Sequence, residues 1–164
     1  MSSATDAWQR IRPGAVSGAV AWILGVAIAL ALWALFASSE GIVASLASSI
    51  VFYYTFHLWP ALPLLTAPTS IFVVFTPVAV LLLFWAGFRT AMRTGAASGR
   101  AGFTHGATVV VGYLTLALAS LPAFGFSVGT SPLADPLVAA IVVGITGVAF
   151  PIVFGGLGGW LAGR

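Results

Sequence analysis

Long uncharged apolar runs alternate with short polar stretches along this chain of 164 residues. Each run is close to the ~20 residues that an α-helix needs to cross ~30 Å of hydrocarbon. The pattern predicts membrane-spanning helices at residues 14–37, 71–92, 103–124 and 136–163. A polar tail (residues 1–13) precedes the first span, and a short loop (residues 94–102) joins the second to the third. We expect an all-α integral membrane protein, a four-span helical bundle forming a single domain.

A fifth apolar segment, residues 42–59, is nearly long enough to cross as well, and the arginine positions decide its interpretation. If it does not cross, a cytoplasmic N-terminus places all six arginines on the cytoplasmic side, as the positive-inside rule favours. If it crosses with the N-terminus outside, Arg10 and Arg12 face outward. We therefore expect both termini in the cytoplasm and an extra external re-entrant or interfacial helix between spans 1 and 2. A five-span topology is the alternative.

The amino-acid composition indicates which solvent surrounds the chain and which kinds of chemistry it excludes. Hydrophobic residues make up 60% of the chain and charged residues 5%, so lipid must cover much of its surface. The absence of cysteine excludes disulfides and thiolate metal sites. The net charge of +3 bears on orientation, and we expect no nucleic-acid partner. The chain is predicted to be a multi-pass protein of the cell membrane whose basic cytoplasmic rim fixes orientation or binds anionic lipid headgroups. That rim comprises Arg10, Arg12, Arg89, Arg93 and Arg100.

Small residues at four-residue spacing predict where the helices touch. Such residues fall on one helix face and let two backbones approach closely. The predicted packing glycines are Gly14, Gly18, Gly102, Gly106, Gly155, Gly159 and Gly163. Pro77 and Pro151 lie inside spans and predict kinks. Because Gly14-x-x-x-Gly18 aligns with Gly102-x-x-x-Gly106, an internal duplication of a helical hairpin is one interpretation, and chance alignment of glycine-rich spans is the other.

Side chains that could perform catalysis are scarce. No Asp, Glu, Arg or Lys falls in the middle of a predicted span, which argues against an acidic proton relay and an aspartyl protease. Ser120 and His105 lie about fifteen residues apart on one predicted helix, ~22 Å, so they cannot form a protease pair. We predict no catalytic residue, no metal and no cofactor, and the protein is not expected to be an enzyme.

Polar aromatic residues are the remaining candidates. Tyr53, Tyr54, His57 and Trp59 form a candidate external polar and aromatic site, or simply an aromatic belt at the membrane interface. Tyr113 is predicted to lie buried at mid-depth of span 3. A buried phenol needs a hydrogen-bond partner, so we expect one on another span.

Three stretches carry a resemblance to a known group: Tyr54-Thr-Phe-His57, the Gly106–Tyr113 segment and the Ala149–Gly159 segment. Together they cover roughly the last two thirds of the chain. It resembles a group of uncharacterised small multi-pass membrane proteins of haloarchaea, which are sometimes labelled transporters. Relatives tend to read Tyr-Asn-Ala-His at the first stretch, from which Thr55 and Phe56 depart. The resemblance implies a haloarchaeal cell-membrane protein without an established activity.

Two functional hypotheses follow. The first is a small transporter- or channel-like protein that acts as an oligomer, since four short spans enclose little pathway alone. The alternative is a non-catalytic membrane scaffold or accessory subunit whose glycine faces bind other transmembrane helices. The expected partners are therefore the lipid bilayer and either further copies of the chain or an unknown membrane protein.

Overall fold

The computed structural model describes residues 4–36, 42–57, 70–123 and 136–164. The helices are α1 (Ala4–Phe36), α2 (Ile42–Thr55), α3 (Ser70–Arg93), α4 (Gly99–Ala107), α5 (Val109–Ala119), α6 (Pro136–Gly144) and α7 (Gly156–Ala162). Two π-helical segments, Ile145–Ala149 and Pro151–Gly155, connect α6 to α7. The described ranges contain no β-strand, as expected for an all-α protein.

Four helical stretches of the described chain are long and apolar enough to cross a membrane, which confirms the predicted number of spans. They are span 1 (Asp6–Leu35), span 2 (Phe75–Arg93), span 3 (Gly99–Ala119) and span 4 (Pro136–Ala162). The boundaries differ in two places. Helix α1 begins at Ala4, so most of the predicted tail forms its first turns. Helix α4 begins at Gly99, capped by the Ser98 side chain, so the predicted loop is shorter than residues 94–102.

The start of α1 and the end of α7 lie at the same end of the bundle. Arg12 near the start of α1 lines one cavity together with Arg93 at the end of α3. Gly163, next to the C-terminus, packs against the carbonyl of Ser98 in the turn between α3 and α4. Since α3 runs antiparallel to α1, the chain must start α3 at the end where α1 finishes. Helix α2 has 14 residues and is not among the four stretches long enough to cross.

Spans 3 and 4 both depart from regular α-helical hydrogen bonding. Span 3 breaks at Thr108, whose backbone N–H and hydroxyl both donate to the carbonyl of His105 at 3.2 and 2.6 Å. Span 4 changes to π-helix on either side of Phe150. Pro151 has no N–H to donate and crowds the preceding turn, and a wider π-turn relieves both effects. Helix α3 continues as one α-helix through Pro77, so the kink expected there stays a prediction.

Glycines bring all four spans into backbone contact, span 2 through Gly87, which faces the carbonyl of Gly155. A Cβ at Gly18 would collide with the carbonyl oxygen of Val109, and one at Gly112 with that of Ala15, so α1 and α5 touch directly. Gly102 and Gly159 meet in the same reciprocal way between α4 and α7. The remaining predicted glycines follow these two seams: Gly14 faces Thr108, Gly106 and Gly155 face each other, and Gly163 faces Ser98. The glycine faces thus pack within a single copy of the chain.

The glycines that suggested an internal repeat have non-equivalent surroundings. Gly14 and Gly18 on span 1 pack against span 3, whereas Gly102 and Gly106 on span 3 pack against span 4. Two hairpins related by an axis would give the aligned glycines equivalent partners. The packing therefore favours the chance alignment.

Candidate functional site: a buried tyrosine–histidine cluster

The C-terminal end of α2 is the most polar part of the bundle interior. Two tight turns end the helix, since the N–H groups of Phe56 and His57 donate to the carbonyls of Tyr53 and Tyr54, both at 3.1 Å. These turns keep both tyrosines and the histidine beside one another, and all three side chains are buried. We call residues 53–57 the α2 tip.

Tyr113 of span 3 connects to the α2 tip through its hydroxyl. That oxygen lies 3.0 Å from the hydroxyl of Tyr53 and 2.9 Å from Nε2 of His57. Nδ1 of the same imidazole lies 3.2 Å from the Tyr53 carbonyl, which can only accept a hydrogen bond. The single phenolic proton of Tyr113 therefore has two acceptors within reach, which joins three side chains in one network.

Tyr54 forms a second connection to two different spans. Its hydroxyl accepts a hydrogen bond from the indole Nε1 of Trp22 at 3.1 Å and lies 3.0 Å from the hydroxyl of Ser120. Ser120 also donates to the carbonyl of Ala117 at 2.7 Å. The α2 tip is thus held between spans 1 and 3 by hydrogen bonds in two places. We define the α2 cluster as Trp22, Tyr53, Tyr54, His57, Tyr113 and Ser120.

The α2 cluster lies near the middle of spans 1 and 4. Trp22 is thirteen residues before Leu35, so it lies ~20 Å along α1 from that end. The His57 ring packs edge-on against Phe150 at 5.0 Å, and Phe150 is fourteen residues after Pro136 and twelve before Ala162 in span 4. The α2 tip is therefore level with the middle of spans 1 and 4, and it also touches Phe75 at the start of span 2 and Ser120 just after span 3.

Aromatic rings surround the polar groups. Phe56 stacks on Phe75 of α3 at 5.2 Å and meets Tyr53 edge-on at 5.8 Å. Phe52 bridges Trp33 of α1 and Phe75 at 5.8 and 6.1 Å. This apolar shell separates the network from lipid and strengthens each enclosed hydrogen bond, because the local dielectric is low.

Burial shifts the titration of the groups on the non-crossing α2 tip. Loss of hydration lowers the pKa of His57 to about 4, opposed by its hydrogen bond to the Tyr53 carbonyl. The same loss raises the pKa of Tyr53 and of Tyr54 above the usual value for a phenol. At neutral pH the α2 tip therefore presents an uncharged imidazole and uncharged phenols.

The α2 cluster offers hydrogen-bond donors and acceptors without a formal charge. No buried polar side-chain atom in the described residues lacks a hydrogen-bond partner. The described chain also brings no three His, Cys, Asp or Glu side chains together in a way that could hold a metal ion. The arrangement can bind and orient an uncharged polar group once one internal hydrogen bond is exchanged for one to a ligand.

The position of the α2 tip differs from the expected one. The sequence predicts Tyr53, Tyr54 and His57 at the outer surface, whereas the structure buries them in the bundle. Within α2, Ser49 is buried while Ile42 and Leu46 are exposed. Ser49 can face inward because its hydroxyl donates to the carbonyl of Ser45 at 2.6 Å and carries no unpaired group.

Tyr113 is buried as expected, but its partners belong to the α2 tip and not to another span. Sequence reasoning missed Trp22 and Ser120. Trp22 falls mid-span, where a tryptophan with a polar N–H is out of place in lipid, and that position was the available signal. Trp59 lies outside the described residues.

The other predicted residues lie away from the α2 cluster. His105 is 2.7 Å from the hydroxyl of Thr94, which links the start of span 3 to the end of α3. Arg89 lies over the Trp85 ring at 5.1 Å. Arg10, Arg12, Arg93 and Arg100 are exposed or partly exposed at the end of the bundle that carries both termini.

Four crossing helices that enclose a polar cluster define a multi-pass helical membrane protein. Residues 61–164 match the model of a family of unknown function, DUF7978, and the chain belongs to that family. The matched part contains spans 2 to 4 with Tyr113, and it leaves out α1 and the α2 tip. No curated protein and no solved structure matches the chain.

Proposed function

We propose that this protein is a small transporter- or channel-like membrane protein, not an enzyme, in which the α2 cluster recognises a small polar solute. The observation that carries the proposal is the burial of the α2 tip inside the bundle, where Tyr53, Tyr54 and His57 take part in hydrogen bonds to spans 1 and 3.

Membrane physics supports a functional α2 tip. Backbone that leaves a helix at membrane depth is tolerated only where protein or a water-filled cavity surrounds it. Many transporters place their substrate sites near the midplane beside interrupted helices. Here the α2 tip adjoins Phe150, at the junction of the two π-helical segments of span 4. Single π-turns in helices frequently occur at functional sites.

The chemistry of the α2 cluster favours an uncharged solute. Its side chains supply two phenols on the α2 tip, a third on span 3, an imidazole, an indole N–H and a hydroxyl. None of these carries a formal charge at neutral pH, so an ion would find no counter-charge to offset its dehydration. A compact molecule with hydroxyl or amide groups fits this set of donors and acceptors.

We propose further that the chain acts as a homo-oligomer, since four short spans enclose little pathway for a solute by themselves. The scaffold alternative has less support than the sequence alone suggested. Its motivation was glycine faces free for other helices, and those glycines pack within the chain.

For the topology, we propose that the end carrying both termini is cytoplasmic and that α2 is a re-entrant helix open to the outside. The support is the accumulation of arginines at that end. Since the chain has no cysteine, single-cysteine variants give a clean test. Ile42→Cys should react with an impermeant maleimide in intact cells, whereas Ala97→Cys should react only after permeabilisation. The opposite pattern would overturn the orientation.

Flux in proteoliposomes tests the function. Purified protein is reconstituted, its orientation is measured with the same cysteines, and uptake is compared for glycerol, urea, neutral sugars, amino acids and salts. We expect uptake of an uncharged solute above that of empty vesicles, and at least a several-fold loss in His57→Gln. The matched control is Thr115→Val, which removes a hydroxyl of span 3 that bonds only to its own helix. Flat uptake across the panel by correctly oriented protein would refute the proposal.

A further inference from the structure

Two adjacent cavities lie between α1 and α3 at the end of the bundle that carries the termini. The larger, about 370 Å³, is lined by Gln9, Arg12, Pro13, Val16 and Arg93. The smaller, about 190 Å³, is lined by Val16, Ser17, Val20, Trp85, Arg89 and Arg93. Because they share Val16 and Arg93, they adjoin, and we call the two together the α1–α3 groove.

The α1–α3 groove combines arginines with exposed apolar side chains. Its end near the termini carries Arg12 from one helix and Arg93 from the other, with the amide of Gln9 beside them. In the smaller cavity Val16, Val20 and Trp85, which are 50%, 39% and 42% exposed, lie beside Arg89 and Arg93. Arginines next to an exposed apolar wall suit a single anionic amphiphile.

The side chains that line the groove carry positive charge. Three arginines line the two cavities, and none of the lining residues is acidic. In the described ranges Asp6 is the only residue with a carboxylate side chain. Arg89 lies over the Trp85 ring at 5.1 Å, and both residues line the smaller cavity. Guanidinium groups bind phosphate with paired hydrogen bonds and are the preferred residues for this purpose.

We propose that the α1–α3 groove is a binding site for one anionic phospholipid. Its phosphate lies between Arg12 and Arg93, and Arg89 contacts the same headgroup from the side. One acyl chain follows Val16 and Val20 past Trp85. Basic pockets between transmembrane helices are a recognised setting for anionic headgroups. The site is separate from the α2 cluster, so it holds whether or not the protein moves a solute.

The test measures lipid binding by native mass spectrometry of the purified protein in a mild detergent. The probes are phosphatidylglycerol, phosphatidylcholine and glycerol 1-phosphate, which carries the headgroup chemistry without acyl chains. The variants are Arg12→Gln/Arg93→Gln and, as a matched control, Arg100→Gln, an exposed arginine at the same end that does not line the groove. Thermal unfolding of each variant in detergent verifies that it is folded.

We expect wild type to retain one phosphatidylglycerol in preference to phosphatidylcholine. The double variant should bind it about 30-fold more weakly, since it loses two headgroup arginines, while Arg100→Gln stays within about twofold of wild type. An equal loss in Arg100→Gln would reduce the effect to general surface charge and overturn the proposal. Equal binding of phosphatidylcholine, or glycerol 1-phosphate binding as tightly as the lipid, would overturn it as well.

Discussion

Gly159 offers the sharpest test of the packing. It lies on α7 where α4 crosses, and a Cβ added there would collide with the carbonyl oxygen of Gly102 and stand 2.8 Å from the Cα of Gly106. Both obstacles are backbone atoms, so no side-chain rotation can relieve the clash. Gly159→Ala must therefore push α4 and α7 apart along a seam that also contains Gly155 and Gly163.

Gly144 provides the matched control in the same span. It is helical, and no described atom outside its own helix neighbourhood lies within 4 Å of the position its Cβ would take. Alanine gains up to ~1 kcal/mol over glycine in a helix, and this gain is common to both variants. Overpacking costs ~1–3 kcal/mol, and a rigid backbone obstacle belongs at the upper end of that range. The free energy of unfolding should therefore be ~2–3 kcal/mol lower in Gly159→Ala than in Gly144→Ala.

The assay is unfolding in mixed micelles with increasing sodium dodecyl sulfate, followed by far-UV circular dichroism. Taking the difference between two alanine variants removes effects of detergent on helix propensity. If Gly159→Ala and Gly144→Ala unfold within about 0.5 kcal/mol of each other, the reciprocal contact of Gly102 and Gly159 does not exist as described.

Three further predictions use the same unfolding assay. Tyr113→Phe removes the hydroxyl that His57 and Tyr53 share and should lower the free energy of unfolding by ~2 kcal/mol. Thr115→Val should change it by less than ~0.5 kcal/mol, and equal effects of the two variants would contradict the network. Burial lowers the pKa of His57 from 6.5 to about 4. Between pH 6.5 and pH 4 the imidazole is therefore protonated in the unfolded state and neutral in the folded state. Stability should therefore fall by ~2 kcal/mol from pH 7 to pH 5, a loss that His57→Gln should largely abolish; parallel pH curves would refute the burial of the imidazole. Gly18→Ala should destabilise the protein as Gly159→Ala does, because the added Cβ meets the Val109 carbonyl. Unchanged stability would refute the direct contact between α1 and α5.

The sequence alone determined the architecture at the level of whole spans. Apolar runs of crossing length specify four helices because lipid requires every backbone group to be bonded within its own helix. The spacing of Gly155, Gly159 and Gly163 also specified a close helix contact, since residues four apart share one face. Neither property depends on which neighbour the helix meets.

The tertiary structure decided which surfaces meet and where α2 goes. Glycine spacing cannot distinguish a partner in the same chain from one in another, and only the contact between Gly102 and Gly159 assigned it to the same chain. Residues 42–57 are apolar enough either to lie at the interface or to enter the bundle. The choice depends on Trp22, Tyr113 and Ser120, which are distant in sequence. Their hydrogen bonds compensate for the lost hydration of the polar groups on the α2 tip. The local sequence pattern determines which environments a segment can occupy, and hydrogen bonds to residues distant in sequence determine which of them it occupies.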